Sequence, residues 1–170
     1  MAKQTTPATK KATTKKPAAK KAAAPKKATA SPRPVRKKAV PVEPIKAAAL
    51  AAAQYALEKK ATEVKLLDVS EITSMTDFFI ICSASSDIQV KAVAENVIVK
   101  MRDEYGIAPW RSEGWDSLQW IIVDFVDFVV HIFKNTAREF YHLERLWADA
   151  PTEIIEDKPA PKKRTATKKI

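Results

Sequence analysis

The stretch WDSLQWIIVDFVDFVVHIFKNTAREFYHLERLWADA, residues 115–150, decides the fold of this chain. Two apolar runs, residues 118–123 and 128–133, flank a polar break that contains Asp124 and Asp127. Apolar runs of this length on either side of a short polar break predict a β-hairpin.

A helix is predicted to follow the hairpin. Thr136 is a candidate N-cap, and apolar residues after it recur at helical spacing. The predicted buried stripe consists of Ala137, Phe140, Leu143 and Trp147. Glu144 projects inside this stripe, where a carboxylate is costly unless it is paired or faces a partner. Arg138 and Arg145 are predicted to lie on the outer face, and we expect Glu144 to lie at the margin of the stripe and to meet an arginine from elsewhere.

The charge of +10 is divided sharply along the chain. Residues 1–42 hold 13 Lys or Arg and no acid, and residues 157–170 hold six Lys or Arg and one acid. Residues 43–156 hold 11 basic and 19 acidic residues, a net charge of −8. The sequence therefore predicts an acidic domain, which favours a basic partner, between two basic tails that favour polyanions.

Both tails are predicted to be disordered. The tail at residues 1–42 is built from Lys, Ala, Pro and Thr and holds no aromatic residue, so it cannot bury enough apolar surface to offset chain entropy. The tail at residues 157–170 repeats this composition. The chain has no run of 18 apolar residues and only one cysteine, Cys82, so we expect a cytoplasmic protein without a disulfide or membrane contact.

Residues 43–156 have the length of one domain with one core. The pattern predicts the order α-β-β-α-(β)-β-β-α, a single α/β domain with a mixed β-sheet packed by helices. Pro44 is expected to begin the first helix, and residues 64–69 and 76–84 are expected to be strands. Ser85, Ser86 and Asp87 are candidate caps of the second helix, and Gly106 is its expected end.

The usual residues of a catalytic centre are missing from the sequence. The two glycines, Gly106 and Gly114, cannot build a phosphate-binding loop. One cysteine and two histidines are too few for a structural zinc site. Asp124 and Asp127 are the only close carboxylates in apolar surroundings, and they are either a metal or acid–base pair or the polar turn of the hairpin. The turn is favoured, so the sequence predicts no catalytic residue, metal or cofactor.

Trp120 and His131 are candidate partner-binding residues. A turn centred on Phe125 and Val126 would place Trp120 opposite His131 across the hairpin. A tryptophan in a strand is more often part of the core than of a binding surface. However, four tryptophans within 38 residues are more than one small core readily holds. At least one is therefore expected to be a surface anchor. The acidic residues expected to surround it are Glu113, Asp116, Asp124 and Asp127.

Four blocks of the sequence together resemble the ribosomal silencing factor family, also called Iojap-like. The blocks are LDVSEITSMTDFFIICSASS (67–86), RSEG (111–114), WIIVDFVDFVVHIF (120–133) and REFYHLERLWADA (138–150). The resemblance covers about residues 45–150 and neither tail. It implies a nucleotidyltransferase-like fold without catalytic equipment, in a protein that silences translation under starvation or in stationary phase.

The resemblance also implies a partner. Family members bind large-subunit ribosomal protein fourteen on the large ribosomal subunit and sterically block joining of the small subunit. The carried-over interface positions are chiefly the Trp120 strand and its neighbours, and we extend them to the acidic loop and to Tyr141. The basic tails are expected to contact ribosomal RNA through phosphate charge. The sequence leaves homodimerisation open.

The chain departs from the family at the hairpin turn. The family usually has D-x-G-D there, whereas this chain has Val126 at the glycine position. A β-branched residue resists the positive φ that such a turn needs, so either the turn type or the strand register is expected to differ. Two other functions also remain open: a nucleotidyltransferase-like enzyme, suggested by the fold alone, and a nucleic-acid-binding protein, suggested by the tails alone.

Overall fold

In the computed structural model, which describes residues 42–157, a mixed six-stranded sheet carries helices on both faces. In chain order the elements are α1 (Val42–Glu58), β1 (Thr62–Asp68), β2 (Phe78–Ala84), α2 (Asp87–Tyr105), β3 (Arg111–Glu113), β4 (Trp120–Asp124), β5 (Phe128–Lys134), α3 (Asn135–Tyr141), α4 (Leu143–Leu146) and β6 (Thr152–Ile154). The predicted α/β fold with a mixed sheet is confirmed. The predictions of disorder concern tails that lie, but for Val42 and Asp157, outside the described residues.

The sheet has the strand order β3-β4-β5-β2-β1-β6. Only β2 and β5, at its centre, pair in parallel, over seven residues from Phe78 opposite Phe128 to Ala84 opposite Lys134. The remaining neighbours are antiparallel. As the near-continuous apolar run predicts, β2 is almost completely buried on both faces.

The helices α1 and α2 cover one face of the sheet. Their buried residues join alternate residues of the strands, such as Ile80, Cys82 and Ile132, in the larger core cluster. Ser86 caps α2 by accepting from the backbone N–H of Gln89, and Gly106 ends it in the left-handed conformation, both as predicted. Burial raises the pKa of the Cys82 thiol to about 12, so the thiol is protonated at physiological pH.

The opposite face carries only α3 and α4. The one long helix predicted there is wrong, because His142 adopts a left-handed conformation (φ 46°, ψ 47°) and separates two short helices. Phe140, expected in the buried stripe, is 77% exposed, while Arg138, expected outside, is 6% exposed. Thr136 is not the cap, since α3 begins at Asn135 without a side-chain cap.

The hairpin register also differs from the prediction. Trp120 lies opposite Phe133, and His131 lies opposite Ile122. The turn is therefore centred one residue later than expected, on Val126 and Asp127. The physical reason is the burial of Phe125, which is 4% exposed and donates its backbone N–H to the Phe128 carbonyl.

Val126 occupies the turn with a φ of 74°. The Asp124 carboxylate accepts a hydrogen bond from the Val126 N–H at 2.7 Å, and the N–H of Asp127 donates to the Phe125 carbonyl at 3.0 Å. These bonds hold a tight turn that a β-branched side chain disfavours by about 1–2 kcal/mol. The two turn aspartates therefore flank a strained residue.

Val126→Gly should raise the free energy of unfolding by about 1 kcal/mol, because glycine adopts positive φ without a steric penalty. Val126→Ala, which lacks the branched Cβ but keeps the left-handed strain, should raise it less. Both values are measured by denaturant unfolding of the full chain. A glycine variant less stable than the wild type would show that Val126 is not strained.

Candidate interaction surface

An aromatic surface forms on the sheet face that α3 and α4 cover only in part. We define it as Trp120, Phe140 and Tyr141, with His131 and Phe133 beneath them. Trp120 stacks on Phe133 with ring centroids 4.7 Å apart, and its ring lies 5.0 Å from that of Tyr141. Phe140 meets Tyr141 edge to face at 5.1 Å. The surface thus joins strand β4 to the end of α3.

Trp120 is half-buried and packs against the smaller core cluster, whose buried residues are Leu67, Val69, Ile81, Phe133, Ala137 and Ala150. Phe133 beneath it is fully buried, whereas Tyr141 beside it is 50% exposed. An aromatic side chain fixed by neighbours on one side and open on the other loses little conformational freedom when it binds a partner. Such side chains are common at the centres of protein interfaces.

Gly114 fixes the approach of the preceding loop to Trp120. A Cβ at this position would lie 1.9 Å from the Trp120 carbonyl oxygen, and Gly114 has a φ of 91°. Both the close approach and the left-handed backbone require glycine here. The loop that carries Asp116 is thereby held against the start of β4.

His131 contacts Trp120 diagonally rather than directly across the hairpin. The Trp120 indole N–H donates to Nδ1 of His131 at 3.3 Å. Burial lowers the pKa of His131 to about 4, so the imidazole is neutral at physiological pH and carries its proton on Nε2. His131 is 7% exposed, so it supports Trp120 from below and has little surface of its own for a partner.

The four predicted acidic residues do not form a single rim. Glu113, which is exposed and ion-paired with Arg111, lies opposite Ile122 on the same face as Trp120. Asp116 is exposed in the loop before β4. Asp124 lies four residues along β4 from Trp120, about 13 Å away by strand geometry. The turn aspartates therefore lie at the far end of the hairpin, which corrects the expected arrangement.

Asp124 has a structural role in the hairpin turn. The carboxylate of Asp124 accepts from the backbone of Val126, which is the structural role that the sequence favoured. Within residues 42–157, no group of three or more His, Cys, Asp or Glu side chains is placed to hold a metal ion. Nor does any helix of this range have the length and apolar character needed to cross a membrane.

The buried Arg138 is the functional candidate that the sequence pattern missed. Its guanidinium donates to the Glu144 carboxylate, to the hydroxyl of Ser83 and to the carbonyl of Glu63. Burial opposes ionisation of Glu144, but hydrogen bonds from its own backbone and from Arg138 outweigh burial and lower the pKa of this carboxyl. The expected arginine partner of Glu144 thus comes from six residues earlier in the same segment. Helical periodicity could not show it, because the helix breaks between the two residues.

The stability of the domain should fall as the pH drops from about 6.5 to about 4. Across this window the unfolded chain protonates His131, whose ordinary pKa is 6.5, while the folded chain does not until about pH 4. The decrease in the free energy of unfolding that is due to His131 is about 3 kcal/mol at most. Denaturant unfolding at several pH values measures it, with His131→Asn as the control that keeps an acceptor near the Nδ1 position.

The His131→Asn variant should lose less stability than the wild type between pH 7 and pH 4. The other titratable groups contribute equally to the pH dependence of stability in both proteins. The difference between the two pH profiles therefore isolates the contribution of His131. Identical profiles would show that His131 titrates normally.

Three comparisons with known proteins match the chain to one group of relatives. Residues 42–170 match a family model described as "Ribosomal silencing factor during starvation". The chain is 41% identical over 99 residues to the ribosomal silencing factor RsfS of Halalkalibacterium halodurans, covering 58% of this chain and 84% of the relative. It is 43% identical over 94 residues to that of Bacillus subtilis, covering 55% and 79%.

A plant relative and a solved structure extend the likeness. The chloroplastic protein Iojap of Zea mays is 38% identical over 102 residues, covering 58% of this chain and 43% of the relative. A crystal structure of a protein from Chromobacterium violaceum superposes with a TM-score of 0.59 at 35% identity, covering 61% of this chain and 86% of that one. The residues matched by the family model, 42–170, include the aromatic surface.

Proposed function

Because the chain belongs to the ribosomal silencing factor family, we propose that it binds the large ribosomal subunit at the intersubunit face and sterically blocks joining of the small subunit. The observation that carries the proposal is the aromatic surface, in which a half-buried Trp120 is fixed on Phe133 and open beside Tyr141. A rigid domain seated at that face would prevent subunit joining by occupying space. It would repress translation under starvation or in stationary phase.

The proposed contact on the subunit is large-subunit ribosomal protein fourteen. With 11 basic and 19 acidic residues, positions 43–156 carry a net charge of −8 and are repelled by ribosomal RNA. Such a domain gains more from a basic protein surface than from the phosphate backbone. Trp120 and Tyr141 would supply the apolar centre of this contact, while Glu113 and Asp116 would supply the acidic edge nearest to it.

The proposed mechanism needs affinity and no chemical step. Silencing by occupancy depends on the fraction of large subunits that hold the factor, so each factor inhibits one subunit at a time. We therefore propose a binding protein and not an enzyme. The role of Asp124 as a turn acceptor supports this proposal over nucleotidyl transfer.

We propose a separate role for the two tails. Their 13 and six basic residues, at positions 1–42 and 157–170, would contact ribosomal RNA through phosphate charge without reading sequence. Tethering to a domain that is already bound raises the effective concentration of the tails near the RNA. The domain would then supply recognition, while the tails would add affinity that depends on salt.

The full-length protein should co-sediment with purified large subunits and lower the yield of joined ribosomes when small subunits are added. Trp120→Ala should weaken large-subunit binding by about 2 kcal/mol or more, which is roughly thirtyfold in Kd. Sedimentation at a series of protein concentrations measures both effects.

Tyr105→Ala provides a matched control, because Tyr105 is also a partly exposed aromatic residue but lies at the end of α2. It should bind like the wild type. Denaturant unfolding of each variant shows whether the fold survives. A wild-type chain that neither binds large subunits nor impedes joining would overturn the proposed function. Equal binding by the wild type and a folded Trp120→Ala variant would move the site elsewhere.

Deleting residues 1–41 should weaken binding at low salt and make the dependence of affinity on salt concentration shallower. The physical reason is that fewer counterions are released when fewer phosphates are neutralised. The control keeps the tail length and replaces its 13 Lys and Arg with Gln. Both proteins should still recognise the large subunit, and salt slopes equal to the wild type would contradict a role of this tail in RNA contact.

A further inference from the structure

Arg138 connects three separate parts of the fold. Its guanidinium donates to the Ser83 hydroxyl at 2.8 Å, near the end of β2, and to the Glu63 carbonyl at 2.9 Å, where β1 is irregular. It also donates twice to one oxygen of Glu144 in α4, at 2.6 and 2.9 Å. One buried side chain in α3 therefore links the sheet to α4.

This link spans the break between the two short helices. His142 adopts the left-handed conformation between them, and its N–H donates to the carbonyl of Arg138 itself. Tyr141, which contacts Trp120, is the residue immediately before the break. The segment of chain between Arg138 and Glu144 thus contains both Tyr141 and the break.

Apolar packing supports these helices at only a few points, since Ala137 of α3 is buried and Leu143 of α4 packs against the smaller core cluster. In α3 the buried residues are Ala137 and Arg138, and α4 has none. Phe140 is 77% exposed and Leu146 is 76% exposed. Because isolated helices of this length are not stable, their position must come from specific contacts with the sheet. The Arg138–Glu144 pair is the polar contact in the described structure that joins both helices at once.

The geometry of the pair requires these residue types. Guanidinium has several donors in one plane, so it can reach Ser83, Glu63 and Glu144 together, whereas an ammonium group cannot reproduce this arrangement. Lys65 lies 3.6 Å from the Glu144 carboxylate and adds a second positive charge. Removing the carboxylate would leave the buried guanidinium with one charged partner fewer.

We propose that Arg138 and Glu144 are positioning residues, which hold the α3–α4 break so that Tyr141 lies against Trp120 in the arrangement that the large subunit binds. This inference rests on the proposed function. Neither residue needs to touch the partner, because both act through the placement of Tyr141. The ion pair between Arg138 and Glu144 would thereby determine the position of Tyr141 within the aromatic surface.

The test compares Glu144→Ala with Glu144→Gln in the full-length chain. Alanine removes both hydrogen bonds from Arg138, whereas the glutamine amide oxygen can still accept them. Glu139→Ala is the matched control, because it removes an exposed carboxylate from the same region and leaves the pair intact. Glu144 is partly exposed, so the alanine variant is expected to keep a cooperative unfolding transition.

Two measurements separate positioning from general stability. The first is the NMR signal of the Trp120 indole N–H, which is assigned by its loss in Trp120→Phe and is sensitive to the Tyr141 ring 5.0 Å away. The second is the Kd for large subunits at a temperature well below the unfolding transition. Glu144→Ala should shift the indole signal and raise the Kd about tenfold. Glu144→Gln and Glu139→Ala should leave both close to the wild-type values.

The opposing outcomes are distinct. An unshifted indole signal and an unchanged Kd in Glu144→Ala would overturn the positioning role while the proposed function stands. Equal loss of binding in Glu144→Ala and Glu139→Ala would also overturn it, because charge alone would then explain the effect. A wild-type chain that does not bind large subunits would overturn both this inference and the proposed function.

Discussion

The parallel pairing of β2 with β5 is the constraint on which the rest of the domain depends. The two strands run side by side for seven residues, and their side chains enter the cores on both faces of the sheet. The helices that follow these strands lie on different faces of the sheet, because α2 follows β2 and α3 follows β5. A one-residue slip between them would exchange the residues of the two cores.

The two faces of this sheet are covered very unequally. Helices of 17 and 19 residues close one face, while helices of seven and four residues lie on the other. The long helices bury continuous apolar stripes, so their position follows from hydrophobic packing. The short helices leave aromatic side chains partly uncovered, and their contacts with the sheet combine a few apolar residues with the hydrogen bonds of Arg138. One side of the sheet is thus closed by long apolar stripes, while the other side leaves the aromatic surface partly uncovered.

The sequence predicted the elements whose periodicity is long and regular. For α2, the cap at Ser86, one of three candidates, and the end at Gly106 agree with the structure. Trp120 was identified as a candidate anchor, and the structure places it beside Tyr141.

The predictions from the sequence are wrong where tertiary contacts outweigh the local pattern of apolar and polar residues. Phe125 is buried at the end of the hairpin instead of occupying its turn. The turn therefore moves by one residue, and the partner of Trp120 moves by two, from His131 to Phe133. His142 interrupts a helical pattern that continues on both sides of it, and Arg138 turns inward to reach β1 and β2. Strand β6 has three exposed residues and so carries no apolar alternation for a sequence pattern to detect.

The buried cysteine has a consequence for conditions of stress. Oxidants attack the thiolate form of cysteine, and both burial and a pKa of about 12 keep Cys82 in the thiol form. Cys82 is the only cysteine of the chain, so its sulfur offers neither an intrachain disulfide nor an accessible sulfenic acid. Oxidation of Cys82 is therefore not a route by which oxidants would alter the folded domain.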